Sequence, residues 1–378
     1  MIDYHELCTI ALTCIKHFSQ HHALELYKQL HYDVTPIFDA PESQWHAAVP
    51  QVPLAWMGNL LTGREAAMER AKREAEFIEE HHVQVLCYGT KNYPTRLQDC
   101  PDAPLVLYYM GNADLNSPYM LSVVGTRHAT AYGKDFCARL TQDFSRLLPQ
   151  TVVVSGLAYG IDINAHRGAL ANGLPTVAVL AHGLDRIYPS YHRDTAKMML
   201  SQGGLLTEYK TGTIPDKGNF VQRNRIVAGL SDGCLIVESG TKGGSLITAR
   251  LASDYHREVL AVPGRVGDEY SEGCNRLIAQ NQAVCACSAE SIAEQLGWPV
   301  QFNGTAKERV VQTELFEHLT DEEAVVARLL AAGEGQQLNQ LVVRSELPVH
   351  RLTAILFELE LRGLVQLMPG GCYRWLRG

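Results

Sequence analysis

The sequence predicts a doubly wound α/β fold, in which helices cover both faces of a mostly parallel sheet. Strand-like and helix-like patterns alternate between residues 121 and 262. The β-branched run at residues 151–154 is typical of a parallel strand that is buried on both faces. Gly/Ser/Thr turns follow several of the strands, and folds of this class bind ligands at the carboxyl ends of their strands.

The composition limits the class of protein. A chain of 378 residues, 46% of them hydrophobic, can bury a large core and is expected to hold two or three domains. With a formal net charge of −8, a nucleic-acid binder must concentrate its basic residues locally. No apolar run reaches the ~18 residues that span a membrane. The N-terminal stretch carries Asp3, Glu6 and Lys16, unlike a signal peptide, so we expect a cytoplasmic protein without membrane contact.

The ten cysteines form no CxxC pair, and Cys285 and Cys287 are the only close pair. Buried reduced thiols are expected, in preference to zinc sites or disulfides. The sequence therefore predicts no metal site, and it carries no signature of a bound cofactor.

The first 80 residues predict a compact helical module. Apolar residues recur at helical spacing over residues 7–18 and 24–30, and prolines at 36, 41, 50 and 53 interrupt the region. A charged helix is expected over residues 64–80. The module fits a surface for contacting a protein or a nucleic-acid backbone, and it fits a purely architectural cap; the sequence leaves both open.

The central elements are predicted in order from residue 83. Strands are expected at residues 83–88, 105–110, 121–125, 151–154, 176–180, 204–208, 234–237 and 259–262. Helices are expected at residues 132–147, 162–170 and 223–230, another begins at 242–245, and residues 183–189 form a loop.

The stretch that organises these elements runs from residue 151 to residue 170. After the strand, Ser155, Gly156 and Gly160 allow a sharp turn and a close approach of the backbone to a ligand. Asp162 is predicted to cap the following helix, and a helix N-terminus in this position binds anions, phosphate above all. A plain turn without a ligand is the alternative, which this stretch alone leaves open.

Three such turns are predicted to meet at one edge of the sheet and to form a shared phosphate-binding rim. They are Gly125-Thr126-Arg127, Ser155-Gly156 and Lys242-Gly243-Gly244-Ser245. Neither G-x-x-x-x-G-K-[ST] nor G-x-G-x-x-G occurs, so ATPase and dinucleotide-binding interpretations both lack their signature.

Residues 217–225 carry three cations and one aromatic residue with no acid among them. The Gly218-Asn219 pair predicts that the first half is a loop. An aromatic residue in a loop beside cations is typical of a single-strand platform, where bases stack and phosphates pair with cations. In the alternative, Phe220 plugs the core and Arg223 and Arg225 form salt bridges.

From residue 93 to residue 278 the chain resembles the DNA-processing protein A (DprA/Smf) family. The resemblance rests on ordered blocks: Tyr93-Pro94, Pro104-Leu105 with Tyr108 and Gly111, Val124-Gly125-Thr126-Arg127, Ser155-Gly156-Leu157-Ala158, Gly160-Ile161-Asp162 with His166, Gly183-Leu184-Asp185 with Tyr188-Pro189, Glu208, Phe220 with Arg223-Asn224-Arg225-Ile226, residues 244–249, Val262-Pro263-Gly264, and Gly273 with Asn275-Arg276-Leu277-Ile278. This chain departs from the usual pattern at Thr126, Cys274 and Asn281-Gln282.

The resemblance implies a Rossmann-like core that binds single-stranded DNA without cutting it, preceded by a SAM-like helical module. It also implies a role in natural transformation and recombination, in which the protein protects incoming strands, helps to load RecA and acts as a homodimer.

The resemblance also implies roles for single residues. Arg127 would bind a phosphate, with the backbone at Gly156 and the helix start near Asp162 completing the pocket. Lys217 would contact the DNA backbone and Phe220 would stack on a base. Arg223 and Arg225 would hold the loop or reach phosphates, and His166 would be a structural hydrogen bonder. The residues expected at the DNA are Arg127, Gly125, Thr126, Ser155, Gly156, Lys217, Phe220, Arg223, Asn224, Arg225, Lys242, Gly244 and Ser245.

The expected domains are residues 1–80 (helical), 83–297 (Rossmann-like), 298–318 (linker) and 319–378 (winged-helix-like). Helices at 321–332, 338–344 and 349–361 and a hairpin of strands 364–367 and 373–376 predict the last domain. It has six Arg and no Lys against seven acidic residues, and its recognition helix would carry Glu358 and Glu360. A protein contact is therefore favoured over strong duplex binding.

Two other functions compete with DNA binding. One is a nucleotide phosphoribohydrolase-like enzyme, for which Gly243-Gly244-Ser245 and Glu238 suit a nucleoside phosphate, although no matching Arg and Glu pair is evident. The other is a structural scaffold for recombination proteins. No nucleophile–base pair can be assembled from the motifs, so we expect no enzymatic activity and no catalytic residue.

Overall fold

A computed structural model describes residues 2–299, 319–331, 336–345, 347–362, 364–368 and 372–375. The chain forms two compact units, Met1–Gln301 and Phe302–Gly378. Among the described residues, no helix combines the length and the apolar character needed to cross a membrane. All ten cysteines are free thiols, but Cys285 and Cys287 are exposed, so the expectation of buried thiols is wrong for this pair.

The first unit is built on a nine-stranded sheet in the order β1-β2-β6-β5-β4-β3-β7-β8-β9. Its strands are β1 (Gln84–Cys87), β2 (Val106–Gly111), β3 (Met120–Val124), β4 (Val152–Ser155), β5 (Thr176–Val179), β6 (Gly203–Thr207), β7 (Gly233–Ile236), β8 (Glu258–Ala261) and β9 (Val284–Cys285). The strands from β6 to β9 pair in parallel, while β2 pairs antiparallel with both β1 and β6. The predicted doubly wound, mostly parallel fold is confirmed.

The helices of this unit begin with five that precede the sheet. They are α1 (Tyr4–Cys14), α2 (Gln20–Gln29), α3 (Thr35–Asp39), α4 (Trp45–Ala48), α5 (Leu54–Glu80), α6 (Thr95–Gln98), α7 (Ala131–Leu147), α8 (Ile161–Ala171), α9 (Arg193–Met199), α10 (Lys217–Gly229), α11 (Gly244–Asp254), α12 (Glu272–Ala279) and α13 (Ala289–Gln295). The sequence analysis did not predict α6, α9, β9, α12 or α13. The last three follow the last recognisable βα unit.

The two faces of the sheet are covered separately. In β3, Leu121 and Val123 pack in a core with α7, α8 and α13. Met120 and Val124 lie in a different core, which includes residues of α10 and α11. Successive side chains of a strand point to opposite faces, so β3, whose five residues are all buried, contributes to the cores on both sides of the sheet.

The N-terminal helices share the second of these cores with the sheet. Lys210 Nζ donates to the Thr13 carbonyl at 2.8 Å, and the Thr211 N–H donates to Glu74 at 3.0 Å. Helix α5 begins at Leu54, ten residues before the predicted start. Gly58 and Gly63 obscured its first turns in the sequence. A Cβ at Gly63 would lie 3.1 Å from Ile15 Cγ2, which shows how closely α1 and α5 pack.

The described residues of the second unit form three helices and a three-stranded sheet. They are α14 (Asp321–Ala331), α15 (Leu338–Ser345), α16 (Val349–Leu361), β10 (Gln336–Gln337), β11 (Val365–Met368) and β12 (Cys372–Trp375), with strand order β10-β12-β11. Leu341, Leu352, Leu356 and Val365 form its core. The predicted helices and hairpin are confirmed, and β10 is an addition. The predictions for residues 300–318 of the linker, for residue 332 of the first helix and for residues 369–371 and 376 of the hairpin lie outside the described residues.

Candidate nucleic-acid interface

The carboxyl ends of three neighbouring strands, β4, β3 and β7, lead to one cavity of about 570 Å³. The cavity also takes in the first turns of α10 and α11. It brings together these residues that the sequence singled out: Gly125, Thr126, Arg127, Lys217, Phe220, Arg223, Asn224, Gly244 and Ser245. Ser155, Gly156, Arg225 and Lys242 do not line it.

Residues 217–225 form the first turns of helix α10, so the prediction that their first half is a loop is wrong. Asp216 is the N-cap residue, and its side chain accepts from the Asn219 N–H at 3.0 Å. This cap stabilises the first helical turn and offsets the low helix propensity of Gly218 and Asn219. The helical spacing then places Lys217, Phe220 and Asn224 on one face, which lines the cavity.

Phe220 is half-buried, and its ring lies between a cation and another aromatic ring. The Arg127 guanidinium lies 5.4 Å from the ring centroid, a distance typical of a cation–π contact. The Tyr188 ring lies 5.8 Å away at 46°. Phe220 is therefore not a fully buried core side chain, and the ring has an exposed part that a base could meet. The family pattern contains Tyr188-Pro189, but the sequence analysis assigned Tyr188 no role.

Arg127 and Lys217 supply the positive charge of the cavity. Both side chains are exposed, and neither forms an ion pair with any described residue. Helix α11 adds its N-terminus, where Gly243 is the N-cap residue and no side chain caps the first turn. A Cβ at Gly244 would meet nothing within 4 Å, so this turn opens onto free space. Unpaired N–H groups beside two cations suit a phosphate.

The turn after β4 is closed to a phosphate, contrary to the expectation for Gly156. Gly160 is the N-cap residue of α8, and Asp162 lies inside the first helical turn. The Asp162 carboxylate does not cap its own helix. It accepts from the N–H groups of Gly156 at 3.1 Å and Ala158 at 3.3 Å. A carboxylate thus already occupies the position that a phosphate would take. Ser155 is fully buried and donates to the Val123 carbonyl at 2.6 Å.

Arg223 is 4% exposed and holds the ends of two strands together. Its Nη1 donates to the Gly156 carbonyl at 2.6 Å and to the Val179 carbonyl. A Cβ at Gly156 would lie 2.4 Å from this nitrogen, so only glycine allows the guanidinium to approach. Burial raises the pKa of Asp162, and the positive charge of Arg223 opposes that rise. Arg223 therefore stabilises the backbone at the base of the cavity by binding these two carbonyl groups.

Arg225 points to a different part of the unit. Its guanidinium pairs with the buried Glu208, and Nη1 donates to the Asp102 carbonyl at 2.5 Å. These residues line a separate cavity of about 370 Å³. Arg225 therefore binds protein groups, Glu208 and the Asp102 carbonyl, away from the cavity. Lys242 is exposed but lies beside the cavity lining.

The residue proposed for an enzymatic role, Glu238, has both oxygens engaged. They accept from the Thr130 N–H at 2.9 Å and from the Thr130 hydroxyl at 2.5 Å. Glu238 thus anchors the start of α7 and is 3% exposed. In the part of the chain that the structure describes, no three His, Cys, Asp or Glu residues cluster as metal ligands do.

His166 makes the structural hydrogen bond that the sequence predicted, between its Nδ1 and Thr176 Oγ1 at 2.7 Å. The imidazole is fully buried, and burial lowers its pKa from 6.5 to about 3, with a smaller contribution from the charge of Arg223. Burial also lowers the pKa of His182 and of His192. His166 therefore stays neutral in the fold at pH values where it is protonated in the unfolded chain.

The free energy of unfolding is therefore expected to fall as the pH is lowered from 7 to 5. Below pH ~6.5 the unfolded chain protonates His166 and the fold does not, which costs about 1.4 kcal/mol of stability per pH unit. The lowered pKa of His182 and of His192 acts in the same direction. Urea unfolding of the wild type and of His166→Asn at several pH values measures the contribution of His166. The variant should show a shallower dependence, because asparagine does not titrate. The raised pKa of Asp162 acts in the opposite sense in both proteins. If the free energy of unfolding of His166→Asn fell with pH as steeply as that of the wild type, His166 would not be a buried neutral group in the fold.

Both units of the chain match models of known families. The model for DNA recombination-mediator protein A matches residues 84–297, and the model for the DprA winged helix domain matches residues 313–371. Protein Smf of Synechocystis sp. is 34% identical over 333 residues, which cover 79% of this chain and 82% of that protein. The DNA processing protein DprA of Bacillus subtilis is 40% identical over 218 residues, covering 57% and 72% of the two chains.

Two solved structures resemble this fold. The X-ray structure of DNA processing protein A from Streptococcus pneumoniae has a TM-score of 0.64 and 28% identity, and covers 78% of this chain and 99% of that chain. The DNA processing protein A of Helicobacter pylori has a TM-score of 0.51 and 31% identity, covering 57% and 95%. The Helicobacter structure was described for its single-stranded DNA binding mode.

Proposed function

Because the chain belongs to the DNA recombination-mediator protein A family, we propose that it binds single-stranded DNA in the cavity at the carboxyl ends of β4, β3 and β7. Arg127, Lys217 and the N-terminus of α11 receive phosphates. Phe220 stacks on a base. The strand is bound and protected, and it is not cleaved.

One observation carries this proposal. The cavity places an aromatic ring, partly open to solvent, beside two exposed cations without acidic partners among the described residues. Aromatic rings that stack bases and cations that track the backbone are what sequence-independent binders of single strands combine. Arg127, Lys217 and Arg223 line the cavity against Asp162 and Asp216, so this part of a chain with a net charge of −8 is locally basic.

The finer parts of the proposal come from the family. We propose that the protein acts in the cytoplasm during natural transformation and recombination, that it helps to load RecA onto the bound strand, and that it works as a homodimer. The winged-helix unit suits a protein contact, since Phe357 and Leu361, one turn apart on α16, are 61% and 73% exposed. The solution mass with and without oligothymidine tests the homodimer.

We expect the protein to bind oligothymidine of about 20 nucleotides far more tightly than a blunt duplex of the same length, by about fivefold or more. In a duplex the bases are already stacked and paired, so the ~1–3 kcal/mol that stacking on an aromatic ring supplies per base is lost. Little sequence preference is expected, since the cavity offers backbone and stacking contacts and no groove-reading helix. Fluorescence anisotropy at fixed salt measures both affinities.

Two controls separate this function from the alternatives. Incubation of the strand with the protein, with and without magnesium, should leave it intact, and AMP should release no adenine. Equal affinity for the blunt duplex would contradict the single-strand proposal. Release of adenine that is lost on Glu238→Gln would instead support the phosphoribohydrolase-like enzyme.

A further inference from the structure

We propose that a bound single strand continues from the cavity onto a neighbouring surface formed by Tyr159, Tyr191 and the cations Arg167 and Arg193. We call this surface the tyrosine platform. The inference rests on the proposed function and extends it, because it adds a contact site for the nucleotides that leave the cavity. Like the cavity, the tyrosine platform would bind single-stranded DNA by stacking bases and by pairing with backbone phosphates.

The rings of the tyrosine platform are exposed and held in place. Tyr159 is 47% exposed and Tyr191 is 77% exposed. Both rings contact the imidazole of His192, Tyr159 at 4.9 Å and 69° and Tyr191 at 6.2 Å and 63° between ring centroids and planes. Such edge-to-face contacts fix ring orientation while leaving the outer faces open.

His192 acts as a rigid support between the two rings. It is 2% exposed, and its Nδ1 is hydrogen-bonded to the Leu157 carbonyl at 2.8 Å. Since Leu157 belongs to the turn after β4, the platform is attached to the sheet edge that carries the cavity. Rings that are ordered before binding lose less conformational entropy when a base stacks on them.

The charge of the surface also suits a nucleic acid. Arg167 and Arg193 are exposed, and neither forms an ion pair with any described residue. Arg167 Nε donates to Thr195 Oγ1 at 3.3 Å, which places this guanidinium against α9, where Arg193 begins the helix. Lys197 of α9 is also exposed, and Asp194 is the one acidic residue of that helix.

The tyrosine platform is continuous with the cavity. Ala158 lines the cavity and Tyr159 follows it directly in the chain. Tyr188 lines the cavity too, contacts the Phe220 ring and is 48% exposed, and Tyr191 lies three residues further on. Aromatic residues thus lead outward from Phe220 on two segments of the same edge. A strand with one base on Phe220 reaches this surface with its next nucleotides.

The length of the oligonucleotide tests the inference. Oligothymidine of about 5 nucleotides occupies the cavity alone, and one of about 20 nucleotides also covers the platform. In Tyr159→Ala and Tyr191→Ala, affinity for the long strand should fall about fivefold or more, and affinity for the short strand should stay unchanged. Arg193→Ala should flatten the salt dependence by ~0.7 for the long strand only. Tyr4→Ala, which removes a tyrosine that is 49% exposed on α1, is the matched control and should change neither affinity.

The outcomes separate this inference from the proposed function. If the tyrosine variants bind both lengths as the wild type does while Phe220→Ala weakens both, the platform does not contact the strand and the cavity proposal stands. Equal loss at both lengths would also overturn the inference, because the tyrosines would then act through the cavity. If the wild type binds neither strand, both proposals fail. Circular dichroism and melting curves show whether each variant is folded.

Discussion

Phe220→Ala is expected to weaken binding of single-stranded DNA about 5- to 150-fold, because stacking of a base on an aromatic side chain is worth ~1–3 kcal/mol. The ring is half-buried between the Arg127 guanidinium and the Tyr188 ring, so it is ordered before a base arrives. The slope of log affinity against log salt should stay nearly unchanged, since no cation is lost and no counterion release changes. Titrations at several salt concentrations give both quantities.

Val221→Ala is the matched control for this variant. Val221 lines the same cavity from the next position of α10 and is 48% exposed, but it cannot stack a base. Its affinity should therefore stay close to that of the wild type. Truncation of a fully buried Phe costs ~3–5 kcal/mol of stability, and half-buried Phe220 should cost clearly less. A large drop in melting temperature with normal DNA binding would show that Phe220 is a core residue and not a platform.

Arg127→Ala is expected to weaken single-strand binding about tenfold or more, since hydrogen bonds to charged groups contribute ~1.5–3 kcal/mol. It should also flatten the salt dependence by ~0.7 for each phosphate contact that is lost on a single strand. The two variants are therefore expected to differ in salt dependence. Phe220→Ala lowers the affinity without changing the slope of log affinity against log salt, and Arg127→Ala changes both the affinity and this slope.

Two further variants separate charge from geometry. Arg127→Lys keeps the positive charge, so most of the salt slope should return, while the planar contact with the Phe220 ring is lost. Lys242→Ala removes an exposed cation that lies outside the cavity lining, so its slope should equal that of the wild type. If Lys242→Ala flattens the slope and Arg127→Ala does not, phosphates are bound outside the cavity.

The family assignment and the fold class could be predicted from the sequence because both depend on local patterns, namely short motifs and apolar runs. The run at residues 151–154 is β-branched at every position, which is typical of a strand buried on both faces, and β4 occupies Val152–Ser155. Order along the chain was enough to place Gly125, Thr126 and Arg127 after one strand and Gly244 and Ser245 near the end of another. Parallel strands then bring those turns to one edge of the sheet.

The secondary structure of residues 217–225 could not be read from composition. Gly218 and Asn219 favour a loop in isolation, but Asp216 caps the segment and the body of α10 is buried, from Arg225 to Gly229. Tertiary burial outweighs the weak propensity of two residues, which is why the helix begins at Lys217. The change matters for function, because only a helix places Lys217, Phe220 and Asn224 on one face.

The sequence by itself therefore determined the order of the elements, their apolar faces and the turns at the carboxyl ends of the strands. All three depend on residues that are a few positions apart. Only the tertiary structure decided what each polar group does. Arg223 and Arg225 are two residues apart, yet one holds Gly156 and the other pairs with Glu208. Asp162 fills the turn that had been expected to hold a phosphate. The partners of the two arginines lie on distant segments, and a buried charge takes whichever partner the packing brings within hydrogen-bond distance.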